Sequence, residues 1–224
     1  MFLQSLALRH DLAWDCATGT GQAAVSLADF FSCVIATDAS AEQIARAQPD
    51  PRIQYVVSSA ERTDLVSESV DLITVAQALH WFDLEAFFAE ADRVLTTDGI
   101  LACWTYALFE VDNLAVQQAV DMFYEDVVGP YWPPERRIVE DGYRSLRFPF
   151  DEIRAPEFEI RSVLSVGELE GYLRTWSATQ RFVRDRGYDP VAALELGRNA
   201  TAEFDVRWPI ALRIGRRRRK DRFL

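Results

Sequence analysis

"DLAWDCATGTGQAAVSLADFFSCVIATD" occupies residues 11–38, and the order of elements within it decides the fold. "DLAWDCA" (11–17) reads as a short buried strand. "GQAAVSLADFF" (21–31) has helical spacing with small residues at its start. "CVIATD" (33–38) is a second apolar run, and it ends in Asp38. A strand, a glycine-bearing loop, a helix and another strand, in that order, open a parallel α/β sheet. Gly19 and Gly21 let the backbone pass close to a ligand.

The pattern continues outward. "SAEQIARAQ" (40–48) has Ser40 as an N-cap with Gln43 three residues on, and Pro49 and Pro51 end that helix. "RIQYVVSS" (52–59) is a third strand. "SVDLITVAQAL" (69–79) holds a fourth, apolar on both faces as in a covered parallel sheet. "DLEAFFAEADRVL" (83–95) places Leu84, Phe87, Phe88, Ala91, Val94 and Leu95 on one helical face, with Glu85 and Glu90 as solvated charges. "GILACWTY" (99–106) is a fifth strand. The expected class is α/β, a doubly wound and mostly parallel seven-stranded sheet.

The later chain differs. The expectations are a helix over 113–128, an irregular Pro- and aromatic-rich insertion over 129–150 and a strand over 157–166. One bent helix or two follow over 167–185, then a helix over 189–204 and a last strand over 206–215. One domain spans 1–224: a cofactor-binding half (11–106), substrate-lid helices and insertion (107–205), and a basic tail (213–224).

Composition excludes several classes. The 224 residues are 49% hydrophobic, enough for a sizeable core. No apolar run reaches the roughly 18 residues of a membrane span, and the start lacks a signal peptide's basic region. Net charge is −11 although the last twelve residues carry seven basic groups and one acid; an acidic body disfavours DNA as a partner, and the tail reads as frayed and solvated. Cys16, Cys33 and Cys103 read as buried free thiols in a reduced, cytoplasmic setting. His10 and His80 are the only histidines and no Cys-x-x-Cys exists, so no metal site is expected. A homodimer stays open.

Two cofactors compete for the loop. "GTGQAA" fits G-x-G-x-x-A through Gly19, Gly21 and Ala24, with Asp38 at the distance of a ribose-binding acid, as in NAD sites. Asp15 argues the other way, because a carboxylate there repels a pyrophosphate and suits an ammonium group.

Together "DCATGTGQAAVSLA", "VIATDAS", "SAERTDL", "SVDLITVAQALHWFD" and "RVLTTDGILACWTY" resemble the class I S-adenosylmethionine-dependent methyltransferases, Rossmann-like in fold. The likeness is to the small-molecule group that includes trans-aconitate methyltransferase, and "YWPPERR", "WSATQRF" and "WPIALRIGR" extend it over most of the chain. The resemblance implies S-adenosylmethionine as cofactor. Asp15, Ala17, Gly19 and Gly21 would contact its methionine part, Asp38 its ribose, Ala39, Ala60 and Glu61 its adenine, and Gln77 would lie near the sulfonium. It also implies a shortened N-terminus, because family members carry a longer segment before the first strand. Where the family loop begins with glycine this chain has Ala17, which costs about 1 kcal/mol if its φ is positive.

Methyl transfer from a sulfonium is an in-line displacement, helped chiefly by alignment and exclusion of water. A carboxylate acceptor needs no base, whereas a hydroxyl needs one. His80, just past the fourth strand, is the candidate catalytic residue, as a base or as an acceptor-orienting group. Trp81 and Phe82 read as packing, with Trp81 a candidate substrate wall. Further substrate candidates are Tyr106, Trp132, Arg137, Trp176 and Arg181, with Tyr131, Arg136 and Tyr143 beside them in the lid. The expected reaction is methyl transfer to a carboxylate or hydroxyl oxygen of a small molecule; the alternatives are an NAD-type oxidoreductase and a non-catalytic S-adenosylmethionine-binding protein.

Overall fold

The computed structural model describes residues 2–194, 196 and 202–218. Its elements are α1 (Phe2–Leu6), β1 (Leu12–Cys16), α2 (Gln22–Ala28), β2 (Cys33–Asp38), α3 (Ala41–Ala45), β3 (Ile53–Val57), β4 (Val70–Ala76), α4 (Leu84–Val94) and β5 (Leu95–Tyr106). There follow β6 (Glu110–Val111), α5 (Leu114–Met122), α6 (Arg136–Glu140), β7 (Asp151–Ile153), β8 (Phe158–Ser165), α7 (Val166–Thr175), α8 (Ser177–Arg186) and β9 (Glu203–Arg216). The chain forms two compact units. The first comprises Met1–Thr105, Asp141–Pro156 and Ala211–Leu224; the second comprises Tyr106–Glu140 and Glu157–Ile210.

In the first unit the strand order is β3-β2-β1-β4-β5-β9, with β7 on the carboxyl-terminal part of β9. Strands β1 to β5 pair in parallel, whereas β7 pairs with β9 antiparallel. The chain runs outward from β1 to β3 and then returns to lay β4 on the other side of β1. This makes the β1/β4 boundary the switch point at which such sheets bind ligands. The first six residues of β4 are buried, since both faces of the sheet are covered. Trp14 is fully buried, and Ala13, Ala24, Leu27, Val34, Leu72 and Ile100 belong to one apolar cluster.

In the second unit the amino-terminal part of β9 pairs antiparallel with β8, from Glu203↔Ser165 to Ile210↔Phe158, and with the two-residue β6. Its core gathers Phe109, Val120, Phe123, Leu169, Leu173, Phe182 and Trp208. Seven strands have five residues or more; β6 and β7 are short additions to them. The 167–185 segment is two helices, broken at Trp176, which takes an extended backbone as cap of both.

Four expectations are corrected. The helix over 189–204 does not form where the chain is described. Pro190–Ala193 is a single 3₁₀ turn capped by the Asp189 side chain, and β9 already pairs with β8 at Glu203; residues 195 and 197–201 lie outside the described residues. The start of the basic tail is not frayed. Arg213 and Arg216 belong to β9, and Arg217, 5% exposed, donates to the Leu95 carbonyl and pairs with Glu68 and Asp92. The rest of the tail, 219–224, lies outside the described residues.

Glu90 is not solvated. It is 7% exposed and accepts from the Thr63 amide and hydroxyl, both at 2.7 Å, and from Arg93. Helical spacing alone could not reveal these partners, because Thr63 comes from a loop 27 residues earlier. Cys33 is exposed where β2 begins, while Cys16 and Cys103 are buried. Among the described residues no helix is long and apolar enough to cross a membrane.

Candidate functional site

The carboxyl ends of β1, β2 and β4 lie side by side, with Cys16 in register with both Thr37 and Val75. The loop after β1 opens with Ala17 at φ 56°, then Gly19 at 58° and Gly21 at 88°. Ala17 therefore bears the strain that the sequence raised. The Thr18 amide donates to the Thr37 carbonyl at 2.9 Å and the Gly21 amide to the Thr18 carbonyl at 3.0 Å, which folds the loop back over the strand ends. Gly21 then caps α2. A Cβ on Gly21 would run into the Tyr55 ring, so glycine is required there by space as well as by φ.

Asp38 ends β2 and ties two turns together. One carboxylate oxygen accepts from the Gly19 amide at 2.9 Å and the other from the Ser40 amide at 2.8 Å. A carboxylate offers about four lone-pair sites, so each oxygen keeps acceptor capacity. Ser40 caps α3 as its sequence implied. Ala39 is exposed next to Asp38, and Ala60 is buried. Glu61 is half-buried and accepts from the Asp83 amide.

Asp15 is 1% exposed. It accepts from the hydroxyls of Thr18 at 2.5 Å and Thr74 at 2.7 Å, and among the described residues no cationic side chain is its partner. Burial pushes its carboxyl up to about 6, against the pull of Thr18, Thr74 and the Ala24 amide; nearby Asp38 adds to the rise. The structure thus holds a buried carboxylate, without a counter-ion among its partners, under a loop of left-handed residues. Thr18 and Thr74 escaped sequence reasoning. Thr18 had a local signal, a hydroxyl three residues after an acid, whereas Thr74 depends on strand register.

Gln77 follows β4 with φ 54°. Its amide donates to the Trp104 carbonyl, and its side-chain oxygen accepts from the Thr105 hydroxyl at 2.7 Å. Backbone strain of this kind gathers at ligand sites. Ala17, Asp38 and Gln77 follow or close three neighbouring strands, so these cofactor candidates come together. His80 and Trp81 sit on the 3₁₀ turn Leu79–Trp81. Trp81 is 61% exposed, so the expectation that it packs is corrected; Phe82 does pack, against Phe87 at 4.9 Å. His80 Nδ1 lies 3.1 Å from the Tyr143 hydroxyl. Tyr143 is fully buried and belongs to the first unit.

The remaining substrate candidates lie in the second unit. Trp132 and Trp176 bring their rings within 5.7 Å, and Tyr124 stacks on Trp132 at 5.1 Å. The Arg136 guanidinium lies 4.5 Å from the Trp132 ring centre and donates to the Tyr124 hydroxyl, which itself donates to Glu140. Burial drives the Tyr124 hydroxyl up to about 12, with Glu140 adding to the rise. Tyr124, Trp132, Arg136, Arg137 and Glu140 line a cleft of about 550 Å³. Tyr106 packs on the core of this unit, and Arg181 donates to the Tyr131 carbonyl. The cleft thus gathers Trp132 and Arg137 but not Tyr106, Trp176 or Arg181.

Comparison with known proteins gives these features a context. Residues 14–103 match a methyltransferase domain family. A Dictyostelium discoideum protein named as a methyltransferase is 38% identical over 178 residues, covering 79% of this chain and 68% of its own length. A Saccharomyces cerevisiae protein named as an S-adenosylmethionine-dependent methyltransferase is 24% identical over 79% of this chain and 72% of its own. A solved structure from Anaeromyxobacter dehalogenans, titled a type II methyltransferase, superposes with a TM-score of 0.89. It is 42% identical and covers 98% of this chain and 95% of its own.

Proposed function

We infer the reaction from a premise that the relatives establish: the chain belongs to the class I S-adenosylmethionine-dependent methyltransferases and takes its methyl group from S-adenosylmethionine. Between the two cofactors that the loop allowed, this premise selects the methyl donor over NAD. We propose that the acceptor is a small molecule of the kind taken by the trans-aconitate-like group, methylated on a carboxylate or hydroxyl oxygen.

The observation that carries the cofactor assignment is Asp15. A buried carboxylate without a cationic side chain among its partners suits the ammonium end of a methionine and disfavours a pyrophosphate. In this reading Ala17, Gly19 and Gly21 bring the backbone close to that end. Asp38, already rigid through Gly19 and Ser40, offers its remaining lone pairs to the ribose hydroxyls. Ala39, Ala60 and Glu61 border the adenine, and Gln77 borders the sulfonium. When bound, S-adenosylmethionine supplies an electrophilic methyl group on sulfur. The chain's own work is then to fix the loop, orient the acceptor and keep water away.

On the acceptor side, His80 and the exposed Trp81 are the proposed contacts in the first unit. In the second unit Arg137 is proposed to hold a carboxylate bidentately beside Trp132. Tyr106, Trp176 and Arg181 remain proposed substrate contacts there. Methyl transfer from radiolabelled S-adenosylmethionine to a panel of small carboxylic acids and alcohols tests the reading. Turnover confined to a few such acceptors is expected. Cofactor binding without transfer to any of them would favour a non-catalytic binder.

A further inference from the structure

Strand β8 brings the sheet of the second unit to an edge. It has eight residues. Among the described residues it pairs with β9 alone, in an unbroken antiparallel register from Phe158↔Ile210 to Ser165↔Glu203. In such a pair alternate residues turn their N–H and C=O groups away from the neighbouring strand, so β8 presents a second ladder on its outer side. Residues 159–163 are all exposed, among them Ile160 at 46% and Val163 at 54%. Sheet edges are commonly blunted by a short strand, a bulge, proline or lysine. β8 is long and regular, and "FEIRSVLS" contains neither proline nor lysine.

The charges on this edge define what fits it. The strand carries two, Glu159 and Arg161, of opposite sign. They lie two residues apart and share one face, where Arg161 donates to Glu159. Across the sheet Arg161 stands opposite Arg207, a like charge. On its other side Arg207 stands opposite Glu110 of β6 and pairs with it at 2.5 Å. An acid on the open side of Arg161 would complete a row of acid, base, base and acid. The strand itself supplies that acid. Two copies of β8 related by a two-fold axis normal to the sheet run antiparallel and keep each face on its own side. Centred on Ile160, this arrangement sets Glu159 of each chain opposite Arg161 of the other, and Ile160 against its own copy. Centring on Glu159 or Arg161 would oppose like charges, and centring on Ser162 or Val163 leaves both charges without an opposite partner.

We infer that β8 is a self-association edge: two copies of this chain pair β8 with β8, antiparallel about Ile160, and continue the sheet from one chain into the other. Two reciprocal Glu159–Arg161 pairs set the register, and the Ile160 side chains meet at its centre. One strand from each chain is a small contact beside standard interfaces of about 20–30 residues a side, so the dimer is concentration-dependent.

Sedimentation velocity of the full chain, from low to high micromolar concentration, is expected to show a monomer–dimer equilibrium. Arg161→Glu should raise the dissociation constant about 10- to 100-fold, because two attractive cross-strand pairs become repulsive. Adding Glu159→Arg to that variant should restore association, because the exchanged charges meet again. Thermal melts separate these effects from folding. Both residues are exposed and a surface ion pair contributes little to stability, so each variant should melt close to wild type. Cys33 is the exposed thiol, whereas Cys16 and Cys103 are buried. In a Cys33→Ser background, mild oxidation should therefore cross-link Ile160→Cys chains, whose new thiols lie about 5 Å apart at Cβ, and leave Ser162→Cys chains single. A chain that stays monomeric at every concentration, a dimer indifferent to Arg161→Glu, or cross-linking through Ser162→Cys in place of Ile160→Cys would overturn the inference. The cross-link decides the register even if the charge variants fail to fold.

Discussion

Replacing Asp15 by Asn separates stability from binding, because the two should move in opposite directions. The Asp15 carboxyl sits at about 6 in the folded chain against an ordinary 3.8. Two units correspond to about 3 kcal/mol. The folded state binds this proton more tightly than the unfolded state does. Asp15 therefore does least harm below about pH 4, and stability falls as pH rises through about 6 before levelling. Thr18 and Thr74 donate to different carboxylate oxygens, so asparagine keeps an acceptor for only one of them and the other hydroxyl must turn to accept from the new amide, at a cost of about 1 kcal/mol.

The expected result is an Asp15→Asn chain about 2 kcal/mol more stable at pH 8 and no more stable than wild type below pH 4. Urea midpoints at the two pH values measure this. The same variant should bind S-adenosylhomocysteine about 10- to 100-fold more weakly, since a charge-assisted hydrogen bond contributes about 1.5–3 kcal/mol. A variant destabilised at pH 8, or stabilised equally at both pH values, would refute the burial argument. Stabilisation with unchanged affinity would remove Asp15 from the ligand site.

Ala17→Gly should stabilise the chain by about 0.5 kcal/mol. Relief of about 1–2 kcal/mol of left-handed strain exceeds the extra entropy of an unfolded glycine, and a lower urea midpoint would contradict this. Asp38→Ala should weaken S-adenosylhomocysteine binding strongly and cost about 1–3 kcal/mol of stability, since the Gly19 and Ser40 amides lose their acceptor; calorimetric titration and thermal melts check the two parts. Burial pushes the Glu90 carboxyl up, but the hydrogen bonds from Arg93 and Thr63 outweigh it and hold it below its usual range. Its contribution is present above the ordinary glutamate pKa of about 4.3 and fades as pH falls. Glu90→Gln should therefore cost about 2 kcal/mol at pH 7 and less near pH 3. An equal cost at both pH values in urea melts would count against the ion pair.

Much of the frame was legible because parallel strands buried on both faces leave long apolar runs. β4 is the clearest case, and Ser40 marked a helix start with a side chain that does cap. The loop was legible because only glycine fits at Gly21. What escaped depends on contacts remote in sequence. Thr74 meets Asp15 across 59 residues and Tyr143 meets His80 across 63. Arg217, read as tail, reaches Leu95 across 122. Helical periodicity marked Glu90 as outward-facing and could not see the Thr63 loop that covers it. The 189–204 segment looked helical by composition, yet strand pairing claims its end from Glu203.

The most direct test of the central claim is calorimetric titration of the full chain with S-adenosylhomocysteine, with NAD run in parallel. The account predicts binding near 1 μM, about −8 kcal/mol, for S-adenosylhomocysteine and no measurable heat for NAD. Binding of NAD, or no heat from S-adenosylhomocysteine, would contradict the assignment of Asp15, the left-handed loop and Asp38 to a methionine-bearing adenosyl ligand.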